Sequence, residues 1–115
     1  MSSPYATVLA AVARQRGVVG AMVVDAYDDI IIDSAVRHGV KAPTVAALGA
    51  SIYRKARQSA GAAGLGDTTF LRLEADNGHI FAAGRGALVV VALTESSVNV
   101  GLVRLAMLQA AAGIA

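Results

Sequence analysis

Two stretches of this chain, Val18–Val24 and Leu88–Leu93, carry no polar side chain at any position. Successive residues of a strand point to opposite faces, so a strand with one wet face alternates apolar and polar residues. Runs without that alternation belong to strands covered on both sides. Such a sheet needs one layer of helices above it and another below. Both runs are strand-sized, and no apolar run approaches the roughly 20 residues of a membrane-spanning helix. Direct membrane insertion is therefore not expected. Ile30–Ile32 is a third, shorter run that reads the same way.

The intervening sequence supplies the helices. Ser3 and Pro4 suit the cap and first position of a helix, and Tyr5, Val8, Leu9 and Val12 recur on one helical face. Arg14 and Arg16 suit its negative end, and Gly17 its exit. Gly39 and Pro43 bracket a connector. A second helix then runs from Thr44, or the residues just before it, to about Ala60, where the glycines of AGAAGLGD end it. Thr68–Ala75 alternates, with Leu71 and Leu73 on one side and Arg72 and Glu74 on the other. Asp76-Asn77-Gly78 signals a hairpin, because Asn and Gly tolerate the positive φ of such turns. His79–Ala83 returns, with His79 expected at the surface, and Gly84-Arg85-Gly86 leads into Leu88–Leu93.

Ser96 or Ser97 is the expected cap of a last helix through about Ala111. That helix is apolar nearly all round, so it should touch both the sheet and the first helix, and Gly101 suggests close packing there. The predicted fold is α/β: a single domain over residues 1–115, in the order α-ββ-α-βββ-α. Its five-stranded antiparallel sheet is sandwiched between helices.

On a helical wheel, Val45, Leu48, Gly49, Ile52 and Ala56 form a stripe for the sheet. The neighbouring arc, Ala46, Ala50, Tyr53 and Ala60, is mostly small, and Ser51, Arg54, Lys55 and Gln58 lie opposite. The apolar-plus-small arc is wider than docking on one sheet requires, which points to a symmetry-related copy. Ala46, Gly49, Ala50, Tyr53 and Ala60, with Phe70 and Arg72 on an outer strand, are the expected homodimer contacts. The composition agrees, since 56% of the residues are hydrophobic and only 16% charged, an apolar excess that a second subunit would cover.

The chain has no cysteine, which removes disulfides and thiolate chemistry and suits a reducing compartment. Met1-Ser2-Ser3-Pro4 carries neither the basic nor the apolar region of a signal peptide, so a cytoplasmic location is expected. The net charge of +2 and the 4% aromatic content argue against nucleic acid. Charge distribution says more. No acid lies between Asp33 and Asp67, where Arg37, Lys41, Arg54, Lys55 and Arg57 stand together.

Asp25, Asp28, Asp29 and Asp33 crowd into nine positions. They miss the alternating acids and central Gly of a calcium loop, and turn chemistry explains them better than a metal does. On a strand, Asp29 and Asp33 would share a face. Gly84-Arg85-Gly86 lacks the lysine and following helix of a phosphate loop, and there is no GxSxG elbow. No catalytic constellation, cofactor or metal site is expected.

The segments VVGAMVVDAYDDIIIDSAV, TVAALGASIYRKARQSAG, FLRLEADNGHIF and, above all, SSVNVGLVRLAMLQAA resemble the roadblock family of dynein-associated light chains. The likeness is greatest to its bacterial and archaeal, MglB-like members and runs from about Tyr5 to Ala111. The resemblance implies a homodimer that pairs middle helices and edge strands. It also implies a small Ras-like GTPase as partner, with the chain acting as a non-catalytic activator, or alternatively as a passive scaffold. Docking would then fall on the middle helix and the basic stretch: Ser51, Arg54, Lys55, Arg57 and Gln58, with Arg37 and Lys41. Activation would come from ordering the GTPase's own switch residues, with an arginine finger from Arg54 or Arg57 the less favoured route. Relatives usually carry Gly near the tip of the first hairpin, where this chain has Ala26-Tyr27-Asp28-Asp29.

Overall fold

The computed structural model describes residues 3–114; the reading of Met1 and Ser2 as part of a leaderless start lies outside the described residues. The elements follow in the order α1 (Ala6–Ala13), β1 (Val18–Asp25), β2 (Ile31–Val36), α2 (Ala42–Ala62), β3 (Leu71–Ala75), β4 (Gly78–Arg85), β5 (Leu88–Thr94) and α3 (Val100–Gly113). The strands form one sheet in the order β2-β1-β5-β4-β3, every neighbouring pair antiparallel. The two unalternating runs are β1 and β5, two of its three inner strands, buried almost throughout, as double coverage demands.

One core lies under α1 and α3, where Leu9, Val12, Phe81, Val90, Val103 and Met107 interlock. The other lies under α2, where Met22, Val24, Ala46, Ala50, Tyr53 and Val89 meet. The approach of α2 explains its composition. A Cβ on Gly49 would stand 2.5 Å from Val91 Cγ1, so only glycine lets the helix sit this close to β5. Ala46, Gly49, Ala50 and Tyr53 therefore face the sheet of their own chain. Of the stripe the wheel placed there, Gly49 is buried on the sheet and Val45 packs at the edge of the core, but Leu48 is exposed and Ile52 and Ala56 are only half-buried. Small residues and Tyr53 pack on the sheet within the chain, Val45 borders that core, and Leu48 is turned outward.

Several local expectations shift for identifiable reasons. Tyr5 takes the cap position of α1 without a side-chain bond, while the Ser3 hydroxyl accepts from Tyr5 N at 3.1 Å and donates to Asp33. The α3 cap is Asn99, whose Oδ1 accepts from Leu102 N at 3.0 Å, rather than Ser96 or Ser97. Gly101 is exposed, and a Cβ there would meet only Asn99 Oδ1 at 3.5 Å, so it is not a packing glycine within the chain. The short run at Ile30–Ile32 belongs to an edge strand. A register irregularity opposite Val23 and Val24 leaves Ile32 unpaired, and Ile30 and Ile32 are exposed rather than covered.

The ladder of β3 starts at Leu71, later than the alternation at Thr68 suggested. Asp76 and Asn77 turn with negative φ, so of the advertised pair only Gly78 has positive φ, at +159. His79 is buried at 6% exposure, its Nε2 lying 3.1 Å from Ser96 O and its Nδ1 unpartnered, which corrects the expectation of a surface histidine.

Candidate functional site: the concavity between the first hairpin and the middle helix

The acidic cluster resolves into four separate tasks. Asp25 closes the tip of the β1–β2 hairpin, its Oδ1 accepting from Tyr27 N at 2.9 Å and Asp28 N at 3.0 Å. Those donors favour the ionised form and hold the carboxyl below its usual range, the bond from Asp28 contributing most. Asp28 points to solvent. Asp29 adopts φ +59, the left-handed conformation that Asp tolerates and that glycine would otherwise supply. Asp33 turns the other way and accepts from Ser3 at the start of α1, so it does not share a face with Asp29. Among the described residues, no three His, Asp or Glu side chains converge as metal ligands.

The tip is clamped to α2. Arg54 Nη1 donates to Ala26 O at 2.7 Å and to the Asp29 carboxylate. Ala26 itself is buried, and its N–H donates to Ala87 O at 2.7 Å. One turn along, Arg57 lies over the Tyr53 ring at 4.9 Å and donates from Nη1 to Gly86 O at 2.8 Å. Its Nε stands 3.1 Å from Asp67 but is not aligned for a hydrogen bond, so that contact is an ion pair by proximity alone. Asp29 from the hairpin tip and Asp67 from beyond α2 thus fold back onto its arginines, while Asp33 does not. Neither guanidinium is held out as a finger.

Between the hairpin tip and α2 lies an open concavity of about 510 Å³, lined by Tyr27, Ser51, Arg54, Lys55, Arg57 and Gln58. Five of the expected docking residues therefore meet at one place. Arg37 and Lys41 do not: Lys41 begins α2, about 20 Å of helix away from Lys55 at 1.5 Å per residue. Sequence reasoning missed Tyr27, which is 64% exposed on the rim. Its signal was an aromatic ring inside a polar turn, DAYDD, that needs none for its geometry.

The expected dimer contacts separate as well. Ala46, Gly49, Ala50 and Tyr53 have no surface left to offer, and the Tyr53 hydroxyl is occupied, donating to Thr68 O and accepting from Gly84 N at 3.1 Å. Ala60 is half-buried near the end of α2. Phe70 packs on Phe81 at 5.8 Å between ring centres, under the Arg104 guanidinium, on the α3 side of the sheet. Arg72 is exposed on the outer strand β3 and pairs with Glu74 at 2.9 Å. Beside β3 a second groove, of about 480 Å³, includes the exposed Leu48 and Leu73 in its walls.

An uncharacterized protein of Methanocaldococcus jannaschii is 31% identical over 98 residues, 85% of each chain. The gliding protein MglB of Thermus thermophilus superposes with a TM-score of 0.83 at 16% identity, over 99% of this chain and 90% of that one. Myxococcus xanthus MglB does so at 0.80 and 18%, over 97% and 94%. At such identities the two structures share the fold. The family model of the Roadblock/LC7 domain matches residues 5–93, which carry the sheet, α1, α2 and the concavity. The chain belongs to the Roadblock/LC7 domain family.

Proposed function

We propose that this chain is a non-catalytic homodimer that binds a small Ras-like GTPase and modulates its GTP hydrolysis. The observation that carries this reading is the concavity on α2, where Ser51, Lys55 and Gln58 share one exposed stripe at helical spacing beside two guanidinia. Family membership supports the class of partner, and the likeness to MglB supports the regulatory role.

Arg54 and Arg57 are held by carbonyls of their own chain, so stimulation would come from ordering the GTPase's own switch residues and not from an inserted finger. Lys55 has no ion-pair partner among the described residues and is the cation best placed to meet acids across an interface. The cytoplasm, where such GTPases work, is the proposed location; no described helix is long and apolar enough to cross a membrane.

The decisive measurement is GTP turnover by small Ras-like GTPases with and without the chain, together with pull-down in the GTP and GDP states. Stimulated turnover, lost together with binding in Lys55→Glu, is the expected result. Binding with unchanged turnover would replace the activator by a scaffold, and absence of binding across the panel would end the GTPase reading.

A further inference from the structure

We infer that the concavity under the first hairpin is a seat for a carboxylate side chain of a partner protein, one carried on an acidic segment with an apolar neighbour. Tyr27 is the wall that selects for that neighbour. The inference rests on the reading of α2 as the docking face and adds to it the chemistry that is read there.

Three observations carry it. The lining contains Arg54, Lys55 and Arg57 with the donors of Ser51 and Gln58, and no carboxylate of its own. The two acids beside it, Asp29 and Asp67, are already paired with Arg54 and Arg57, so neither faces an incoming carboxylate as a bare charge. Lys55 is exposed beside Ser51 and Gln58 and has no ion-pair partner among the described residues, so its ammonium is free to meet an incoming carboxylate. The two arginines are also held in position by backbone carbonyls, which lowers the side-chain entropy lost on binding.

Tyr27 supplies the selectivity. Its backbone N–H is fixed by Asp25, and the turn beneath it is fixed by Arg54 through Ala26 O and Asp29. A ring so exposed is kept in place by its turn, not by burial, and presents an apolar face at the rim. A free oxyanion would use the cations and ignore the ring. An acidic segment with an apolar residue beside the acid would use both.

The test is an amide-resolved NMR titration of the full chain with a capped peptide of alternating glutamate and leucine. The glutamine-for-glutamate peptide and inorganic phosphate are the comparison arms. The expected result is a shift confined to Tyr27, Ser51, Lys55 and Gln58 with the acidic peptide alone. Lys55→Gln and Tyr27→Ala should each weaken binding by about fivefold, the scale of one exposed ion pair or one aromatic contact, and Tyr27→Phe should not.

Equal response to phosphate, shifts spread to Arg37 and Lys41, or indifference to Tyr27→Ala would each overturn the seat. Its failure is separable from that of the GTPase reading. A peptide that occupies the concavity while no GTPase binds leaves the seat standing without its proposed partner. A GTPase that binds equally well to Tyr27→Ala, and is not displaced by the peptide, removes the seat alone.

Discussion

At the scale of single residues, the hairpin tip shows how one charge type performs unlike tasks four positions apart. Asp25 is bound by two backbone N–H groups and Asp29 by a guanidinium, while Asp33 faces the opposite side of the sheet. Each environment follows from backbone direction, which a count of acids does not contain. The lowered Asp25 pKa has a consequence with a definite sign. A carboxyl whose folded value is depressed contributes stability above its ordinary value of about 3.9 and loses it as pH falls through the lowered one. The tip should therefore be unchanged between pH 7 and 5. Its Tyr27 and Asp28 amide resonances should move only in more acidic solution, and Asp25→Ala should abolish that transition. Movement of these amides near neutral pH would show that another group governs the turn.

At the scale of elements, α2 is decided by how closely it can approach the sheet. Gly49→Ala gains about 1 kcal/mol of helix propensity but drives a methyl into Val91, an overpacking cost of about 1–3 kcal/mol. Gly61→Ala in the last turn of the same helix meets nothing within 4 Å and keeps only the gain, about 0.5–1 kcal/mol. Urea denaturation of the two variants should give shifts of opposite sign; two gains would mean that α2 is free to lift off the sheet.

The same contact explains what was legible in the sequence. Strands β1 and β5 could be read because a run such as Val89-Val90-Val91 has one meaning wherever it stands in the chain. The inward face of α2 could not, because a stripe of Ala and Gly serves a partner helix or a nearby strand equally well, and only Val91 across the gap distinguishes them. His79 was misread for a related reason. Its burial depends on Ser96, seventeen positions away, and on the Phe81 ring at 5.7 Å. The candidate site was half legible. The α2 stripe repeats at helical spacing, whereas Tyr27 reaches it only through the Arg54 clamp.

At the scale of the molecule, folding reduces the charge asymmetry of the sequence, since Asp29 and Asp67 return to Arg54 and Arg57, while Arg37, Lys41 and Lys55 have no ion-pair partner among the described residues. Apolar surface also stays uncovered on the α2 side: Leu48 on the outward face of the helix and Leu73 on the outer strand, in the walls of one groove. A homodimer built by this chain has that groove and the open edge of β3 as its natural seam, in place of the small residues spent on the chain's own sheet. Burial of a leucine is worth about 1.5–3 kcal/mol, and a two-fold axis counts each substitution twice. Leu48→Glu and Leu73→Glu should each raise the dissociation constant by about a hundredfold or more, seen as a halved mass by light scattering at micromolar concentration. Leu102→Glu places the same charge on a still more exposed leucine of α3, on the opposite side of the sheet, and should leave the mass unchanged. Dissociation by Leu102→Glu alone would move the seam to the α1–α3 side and leave the α2 groove open to other partners.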